Sequence, residues 1–261
     1  MSSVRQPVVA GMFYPQDPEI LKRDILNYLG SAENLEPAPK AIIAPHAGYI
    51  YSAPVAASVY NRLRTWHDRI SRVILLGPSH RIGFTGLALS SADYFATPLG
   101  YVTIDHSMDA ALAQLPQVAV LDQAHSMEHS LEVHLPFLQT MLDEFQLIPM
   151  VVGDASPEEV AQVLELLWGG DETLIVVSSD LSHYQDYLSA QHLDQATAEA
   201  IETLRYEDIH YDDACGRNPI RGLLYYARAH RLHIQAVDVR NSGDTQGDKS
   251  RVVGYGAFVL G

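Results

Sequence analysis

The sequence predicts an α/β protein with a mainly parallel central sheet, helices covering both faces, and antiparallel strands at the edges. Two observations carry this prediction. Four short, largely apolar runs rich in β-branched residues are typical of strands buried on both sides, and they alternate with stretches of helical periodicity. That alternation is the pattern of parallel sheets connected by helices. The four runs are residues 41–44, 72–77, 147–153 and 173–178.

Composition narrows the class of protein. The chain has 261 residues with no internal shift in composition, so we expect one domain over residues 1–261. A net charge of −15 argues against nucleic acid or an anionic membrane surface as partner, since both need a basic face. The sequence contains no run of 18 apolar residues and no signal-peptide pattern, and one cysteine cannot form an intrachain disulfide. We therefore expect a cytoplasmic protein without a membrane span.

The remaining elements follow from local signals. Asp17 and Pro18 predict a helix start, and Gly30 predicts its end, before a polar loop over 31–40. Ser156 and Glu159 form a capping-box pattern, and Pro136 is expected to break the helical stretch 131–145 early. We predict short strands at 86–90 and 101–105 as a hairpin or edge pair, and two C-terminal strands joined by the loop 241–250. Further helices are predicted over 53–65, 107–114, 157–168, 189–204 and 212–229.

Three histidines share one sequence setting. His46, His80 and His183 each follow an apolar strand by one to five residues. Because the carboxyl ends of parallel strands meet at one edge of a sheet, the three side chains can converge there. Any one of them could instead be a strand-end residue bonded to a loop carbonyl. The threefold recurrence favours a shared site.

Two further groups of residues could contribute. The segment EHSLEVH (128–134) lacks the order of a helical zinc-protease motif, and His129 is interpreted as a pocket residue that hydrogen-bonds a ligand. The alternative is a capped helix start whose polar residues face water. Asp180, three residues before His183, could orient an imidazole or accept a proton.

Cys215, in DDACGRNP, is the only cysteine of the chain. Most lone cysteines are inert, small apolar residues. A thiolate could ligate a metal or act as a nucleophile with a histidine, and the residues alone do not separate these two roles.

Several motifs together resemble the Memo family, the B component of the AmmeMemoRadiSam gene group. The resemblance extends over essentially the whole chain. The matching stretches are AGMFYP (10–15), IIAPHAGY (42–49), GPSH (77–80), ALSSADYFATPLG (88–100), EHSLEVHLPFL (128–138), SSDLSH (178–183), CGRNPI (215–220) and SGDTQGDKSRVVGYGA (242–257).

This resemblance implies a fold similar to the class III (LigB-type) extradiol dioxygenases, which use non-haem iron(II). It implies that His46 and His80 match the two histidine ligands, and that Cys215 takes the place of the glutamate ligand. His183 would match the acid–base histidine, and His129 a second pocket histidine. A thiolate in place of a carboxylate favours copper or zinc over iron(II). The gene group implies a functional link to a radical-SAM protein and to an AMMECR-type protein.

We therefore predict a metal-dependent redox enzyme, dioxygenase-like and of unknown substrate, with iron(II), copper or zinc on His46, His80 and Cys215. His183, His129 and Asp180 are its predicted catalytic residues. Two alternatives are a non-catalytic protein that binds a small molecule or peptide in the same pocket, and a hydrolase or transferase with a Cys/His nucleophile.

Overall fold

The computed structural model describes residues 2–32 and 38–261; half of the predicted loop 31–40 therefore lies outside the described residues. Eight α-helices and twelve strands are present in the described part of the chain. The strands are β1 (Val4–Arg5), β2 (Ala41–Ala44), β3 (Arg72–Pro78), β4 (Leu87–Leu89), β5 (Tyr94–Thr97), β6 (Gly100–Ile104), β7 (Val118–Val120), β8 (Gln146–Val152), β9 (Thr173–Ser178), β10 (Asp180–Gln185), β11 (Ile234–Asn241) and β12 (Val252–Leu260). The helices are α1 (Pro18–Gly30), α2 (Tyr49–Tyr60), α3 (Asp109–Leu112), α4 (Asp122–Ser126), α5 (Leu135–Met141), α6 (Pro157–Leu167), α7 (Tyr187–Glu202) and α8 (Arg217–His230).

The strands form one mixed sheet whose centre is parallel. Its main path runs β1-β5-β6-β8-β3-β9-β2-β12-β10. All pairs from β6 to β2 along this path are parallel, whereas β12 is antiparallel to β2, β10 and β11. This arrangement confirms the predicted fold class, with its parallel centre and antiparallel edges.

Both faces of the sheet are covered by helices. Alternate residues of β2 point to opposite faces: Ile42 and Ala44 join one core with α1, α2 and α5, and Ala41 and Ile43 join the other with α6, α7 and α8. The same alternation recurs in β3 and β9, so these strands are apolar on both sides. This double burial explains why the four apolar runs were visible in the sequence.

Local signals fixed several element boundaries. Asp17 accepts hydrogen bonds from the amides of Glu19 and Ile20 at the start of α1. Ser156 and Glu159 form the predicted capping box of α6. The stretch 131–145 is interrupted as expected, since a 3-10 turn precedes α5, which has Pro136 in its first turn.

Other boundaries differ from the predictions. The segments 86–90 and 101–105 do not pair with each other, because β6 forms a hairpin with β5 across a two-residue turn, and β4 pairs with β7 and β8. Helix α2 starts at Tyr49, before the predicted 53. Helix α8 starts at Arg217 rather than at 212, so Cys215 precedes the helix instead of lying within it. No helix in the described part of the chain is long and apolar enough to cross a membrane.

Candidate metal centre

The strand ends bring the candidate ligands together. His46 lies two residues beyond β2 and His80 two residues beyond β3. Cys215 reaches the same place from the turn before α8, where its amide donates to the main-chain oxygen of Asp180 (3.3 Å). The Nε2 atom of His46 lies 3.4 Å from the Sγ atom of Cys215. One ligand atom from each of His46, His80 and Cys215 lies within 4.8 Å of the other two, so the three could hold one metal ion.

His46 is held through both its ring and its backbone. Its Nδ1 atom lies 2.6 Å from the hydroxyl of Ser178, the last residue of β9, and its amide donates to the Asp180 carboxylate (2.8 Å). Burial, followed by the nearby histidines, lowers the pKa of His46 well below its usual value. The ring is therefore neutral at physiological pH, and Nε2 is the nitrogen turned toward Cys215.

His80 is held by Glu128 in the same way. The Glu128 carboxylate accepts from the His80 amide (2.5 Å) and lies 2.8 Å from His80 Nδ1. Burial opposes ionisation of Glu128, but the hydrogen bond and charge of His80 outweigh it and lower the pKa to about 2. His80 thus presents its Nε2 atom, on the opposite side of the ring from this carboxylate.

The ligand atoms of His80, Glu128 and His129 are also near one another. However, the Glu128 carboxylate already accepts from the amides of His129 and Ser130 (2.9 Å each) as well as from His80. Four donors already bind this carboxylate, three at Oε1 and one at Oε2, so we interpret Glu128 as a support for His80 rather than as a metal ligand.

Burial favours the neutral thiol form of Cys215. Its sulfur accepts a hydrogen bond from the Asp180 amide at 3.3 Å. Desolvation and the negative charge of Asp180 raise the pKa of the thiol far above its ordinary value. A protonated thiol is a poor nucleophile, so the raised pKa does not favour a Cys/His hydrolase, although His46 Nε2 lies 3.4 Å from the sulfur.

A cavity of about 390 Å³ opens onto two of the candidate ligands. His80, His183 and Cys215 line it together with Tyr184 and Tyr211, whose side chains are exposed at its rim. His183 lies on the edge strand β10, not in a loop, and pairs with Val253 of β12. The structure thus brings His183 to the same cavity as His80 and Cys215.

His129 and Asp180 are not among the residues that line this cavity. The His129 ring stacks on that of His80 (centroids 4.7 Å apart) and meets Phe13 edge-on (5.0 Å). The carboxylate of Asp180 bonds the backbone of His46, and no hydrogen bond among the described residues joins it to the ring of His183. The predicted roles of both residues in catalysis stay predictions.

Ser178 and Glu128 both fix a candidate ligand, although no sequence motif pointed to either of them in this role. Ser178 looked like the last residue of an apolar strand. Glu128 was visible within EHSLEVH, where two glutamates and two histidines lie in seven residues. Glu128, Glu132 and His134 are all at most 2 % exposed. The one signal in the sequence was this high density of polar residues directly before an apolar helix, which indicates a buried hydrogen-bond network.

Comparison with known proteins gives a consistent result over the length of the chain. A family model described as Memo-like protein matches residues 5–259. A MEMO1 family protein of Aquifex aeolicus is 37% identical over 265 residues, covering 97% of each chain. A MEMO1 family protein of Methanosarcina barkeri is 34% identical, covering 98% of this chain and all of the relative.

One solved structure shares the fold. An uncharacterized protein from Escherichia coli K12 superposes with a TM-score of 0.54 and 14% sequence identity. The match covers 82% of this chain and 98% of that one. At this identity the similarity concerns the fold alone.

Proposed function

The protein belongs to the Memo family, and we propose that His46, His80 and Cys215 hold a single metal ion in a metal-dependent redox enzyme. The observation that carries the proposal is the convergence of the three ligand atoms within 4.8 Å. In both histidines the Nδ1 atom has its own partner, Ser178 or Glu128, which leaves Nε2 for a metal.

The donor set fits a transition metal. Two imidazole nitrogens and one sulfur suit copper, zinc or iron better than the hard cations calcium and magnesium. When bound, iron or copper would supply electron transfer and Lewis acidity at the floor of the cavity. Three protein ligands also leave coordination positions open, as a catalytic site requires.

The residues around the centre have distinct proposed roles. His183 lines the cavity beside His80 and Cys215, where an imidazole can take a proton from a bound substrate or return it. His129 supports His80 by stacking on its ring. Asp180 holds the backbone of His46 and, through its amide, the sulfur of Cys215, so it positions two of the three ligands.

The experiment measures metal bound per protein, after purification without chelators and after titration of the metal-free protein with Zn²⁺, Cu⁺ and Fe²⁺. We expect one ion per chain in the wild type and loss of high-affinity uptake in His46→Ala and Cys215→Ser. His230→Ala changes an exposed histidine paired with Glu165 and is the matched control. Absence of uptake by the wild type, or full uptake by both ligand variants, would contradict the proposal.

The raised pKa of Cys215 adds a second measurement. Because the metal-free thiol is protonated and only a thiolate ligates, binding must release a proton. Calorimetry in buffers of different ionisation enthalpy should therefore show about one proton released per ion at pH 7, with affinity rising about tenfold per pH unit. Cys215→Ser should release none, since a serine hydroxyl does not ionise in this range.

A binding protein without catalysis is the second candidate. Tyr184 and Tyr211, which are 63 % and 78 % exposed, give the cavity an aromatic rim that could bind a planar ligand without any metal. Ligand-observed NMR with a library of aromatic fragments, run on metal-free and metal-loaded protein, separates the two candidates. Fragments that bind equally to both forms, and are lost in Tyr211→Ala, would favour the binding protein.

A further inference from the structure

A chain of buried hydrogen bonds continues from the metal centre into the core. The Ser178 hydroxyl, 2.6 Å from His46 Nδ1, also lies 2.8 Å from His134 Nε2. On the far side of the His134 ring, Nδ1 lies 2.8 Å from the hydroxyl of Tyr60. All four residues are at most 2 % exposed, so their polar atoms must satisfy one another.

The number of protons in this chain fixes the direction of every bond. A serine hydroxyl has one proton to donate and two lone pairs to accept with. Ser178 has three partners, because its hydroxyl also lies 2.7 Å from the main-chain oxygen of Ser130. A carbonyl oxygen can only accept, so the single Ser178 proton belongs to Ser130. Both histidines must then donate to Ser178.

The two tautomers follow. His46 carries its proton on Nδ1, and His134 carries its proton on Nε2. The Nδ1 atom of His134 is then a bare acceptor, and the one remaining donor, the Tyr60 hydroxyl, lies where it is needed. The opposite direction would set two acceptors, the Ser178 and Ser130 oxygens, against each other at 2.7 Å in a buried site, which is a repulsive contact.

We propose that Ser178 and His134 are positioning residues that hold His46 in its Nδ1-protonated tautomer, with a bare Nε2 lone pair directed at Cys215. Tyr60 completes the chain by donating to His134. Burial lowers the pKa of His134 to about 3, so its ring is neutral and its tautomer is defined at neutral pH. The expected effect on metal affinity rests on the proposed metal site, whereas the assignment of the His46 tautomer does not.

Folding brings the parts of this chain to one point. Ser178 ends β9 in register with Ala44 of β2, which places its hydroxyl under the ring that follows β2. His134 closes the 3-10 turn before α5, and Tyr60 is the last residue of α2. The parallel register between β2 and β9 therefore orients His46, and residues at the end of α2 and just before α5 hold His134 and Ser178 in place.

The test reads the tautomers directly in metal-free, full-length protein. Two-bond ¹H–¹⁵N correlation spectra of ¹⁵N-histidine protein show which ring nitrogen carries the proton. We expect Nδ1–H for His46 and Nε2–H for His134 in the wild type. In Ser178→Ala the His46 acceptor is gone, and we expect a mixture of both His46 tautomers. Ser90→Ala removes another buried hydroxyl, whose partners Ala92 and Asp122 are not part of this chain of hydrogen bonds, and should leave the His46 and His134 signals unchanged.

Two results would overturn the inference. One is a wild-type His46 protonated on Nε2, which needs no variant to observe and so stands even if Ser178→Ala does not fold. The other is an unchanged His46 tautomer ratio in folded Ser178→Ala. In the metal arm, we expect zinc affinity to fall 10–100-fold in Ser178→Ala and to be kept in Ser90→Ala. If the wild type takes up no zinc, the proposed metal site fails while the tautomer result still decides this inference.

Discussion

Replacing Glu128 with glutamine tests how the protein holds His80. The carboxylate accepts three hydrogen bonds at Oε1, from His80 Nδ1 and the amides of His129 and Ser130, and one at Oε2, from the His80 amide. In Glu128→Gln the amide oxygen can replace only one of these oxygens. The new NH₂ group must then face an N–H donor, which loses a bond and leaves a buried donor unsatisfied.

The size of the effect follows from the pKa of Glu128. The difference between the ordinary value of 4.5 and about 2 corresponds to about 3 kcal/mol of stability at neutral pH. Because the folded pKa is the lower one, this contribution is complete above about pH 4.5 and is lost as the pH falls toward 2. Glu128→Gln should therefore be about 2–3 kcal/mol less stable than the wild type at pH 7, with a smaller difference at pH 3.

Urea unfolding of both proteins at several pH values measures this difference, and comparing the two proteins cancels the titration of other groups. Glu207→Gln is the control, since Glu207 is an exposed glutamate paired with Arg228, and its loss should change stability little. Equal stabilities of wild type and Glu128→Gln at pH 7, or a difference that does not shrink in acid, would refute the reasoning.

Three further predictions concern stability, each measured by urea unfolding. Arg5→Met leaves the buried Glu132 carboxylate without its ion pair and should cost about 3–5 kcal/mol; a cost below about 1 kcal/mol would contradict this. Gly86 has φ +89°, and a Cβ there would lie 2.1 Å from a main-chain oxygen. Gly86→Ala should therefore lower the free energy of unfolding by about 1–3 kcal/mol or more. In the control Gly83→Ala the added methyl group meets no atom, and stability should change little. Burial lowers the pKa of His125 to about 4, below its unfolded value of 6.5, so its contribution to stability is complete above pH 6.5 and falls by up to about 3 kcal/mol as the pH drops to 4. His125→Gln should therefore flatten the plot of unfolding free energy against pH between pH 6.5 and 4. An unchanged slope in that window would contradict this prediction.

The sequence predicted the parts of the fold that depend on local patterns. The apolar runs of β2, β3, β8 and β9 are unambiguous because both sides of each strand are buried, and the caps at Asp17 and Ser156 are local hydrogen bonds. The hairpin of β5 and β6 could not be separated from other pairings of short strands, since pairing depends on register between segments. The start of α8 was predicted five residues early. The segment before the helix is held by the hydrogen bond from the Cys215 amide to the main-chain oxygen of Asp180, and a bond between residues 35 apart leaves no local signal in the sequence.

The same distinction applies to the site. Histidines that follow strands could be found in the sequence, because the carboxyl edge of a parallel sheet is a general rule. The side chains that orient these histidines could not be found in this way. Ser178 is a polar side chain at the end of an apolar strand, and its partners His46, Ser130 and His134 lie 44 to 132 residues away. Only the register of the folded sheet brings such partners together.

The two glutamates of EHSLEVH connect the candidate metal centre to the start of the chain. Glu128 holds His80, while Glu132, fully buried, accepts from Arg5, from the amides of Val8 and Val9, and from the Tyr14 hydroxyl. The segment fixed by Glu132 carries Phe13, whose ring packs edge-on against His129. Since His129 stacks on His80, the N-terminal segment contacts a candidate ligand through this histidine. Loss of the Arg5 side chain should therefore loosen His80 as well as lower global stability, because Arg5 pairs with Glu132 and also donates to the main-chain oxygen of Glu128.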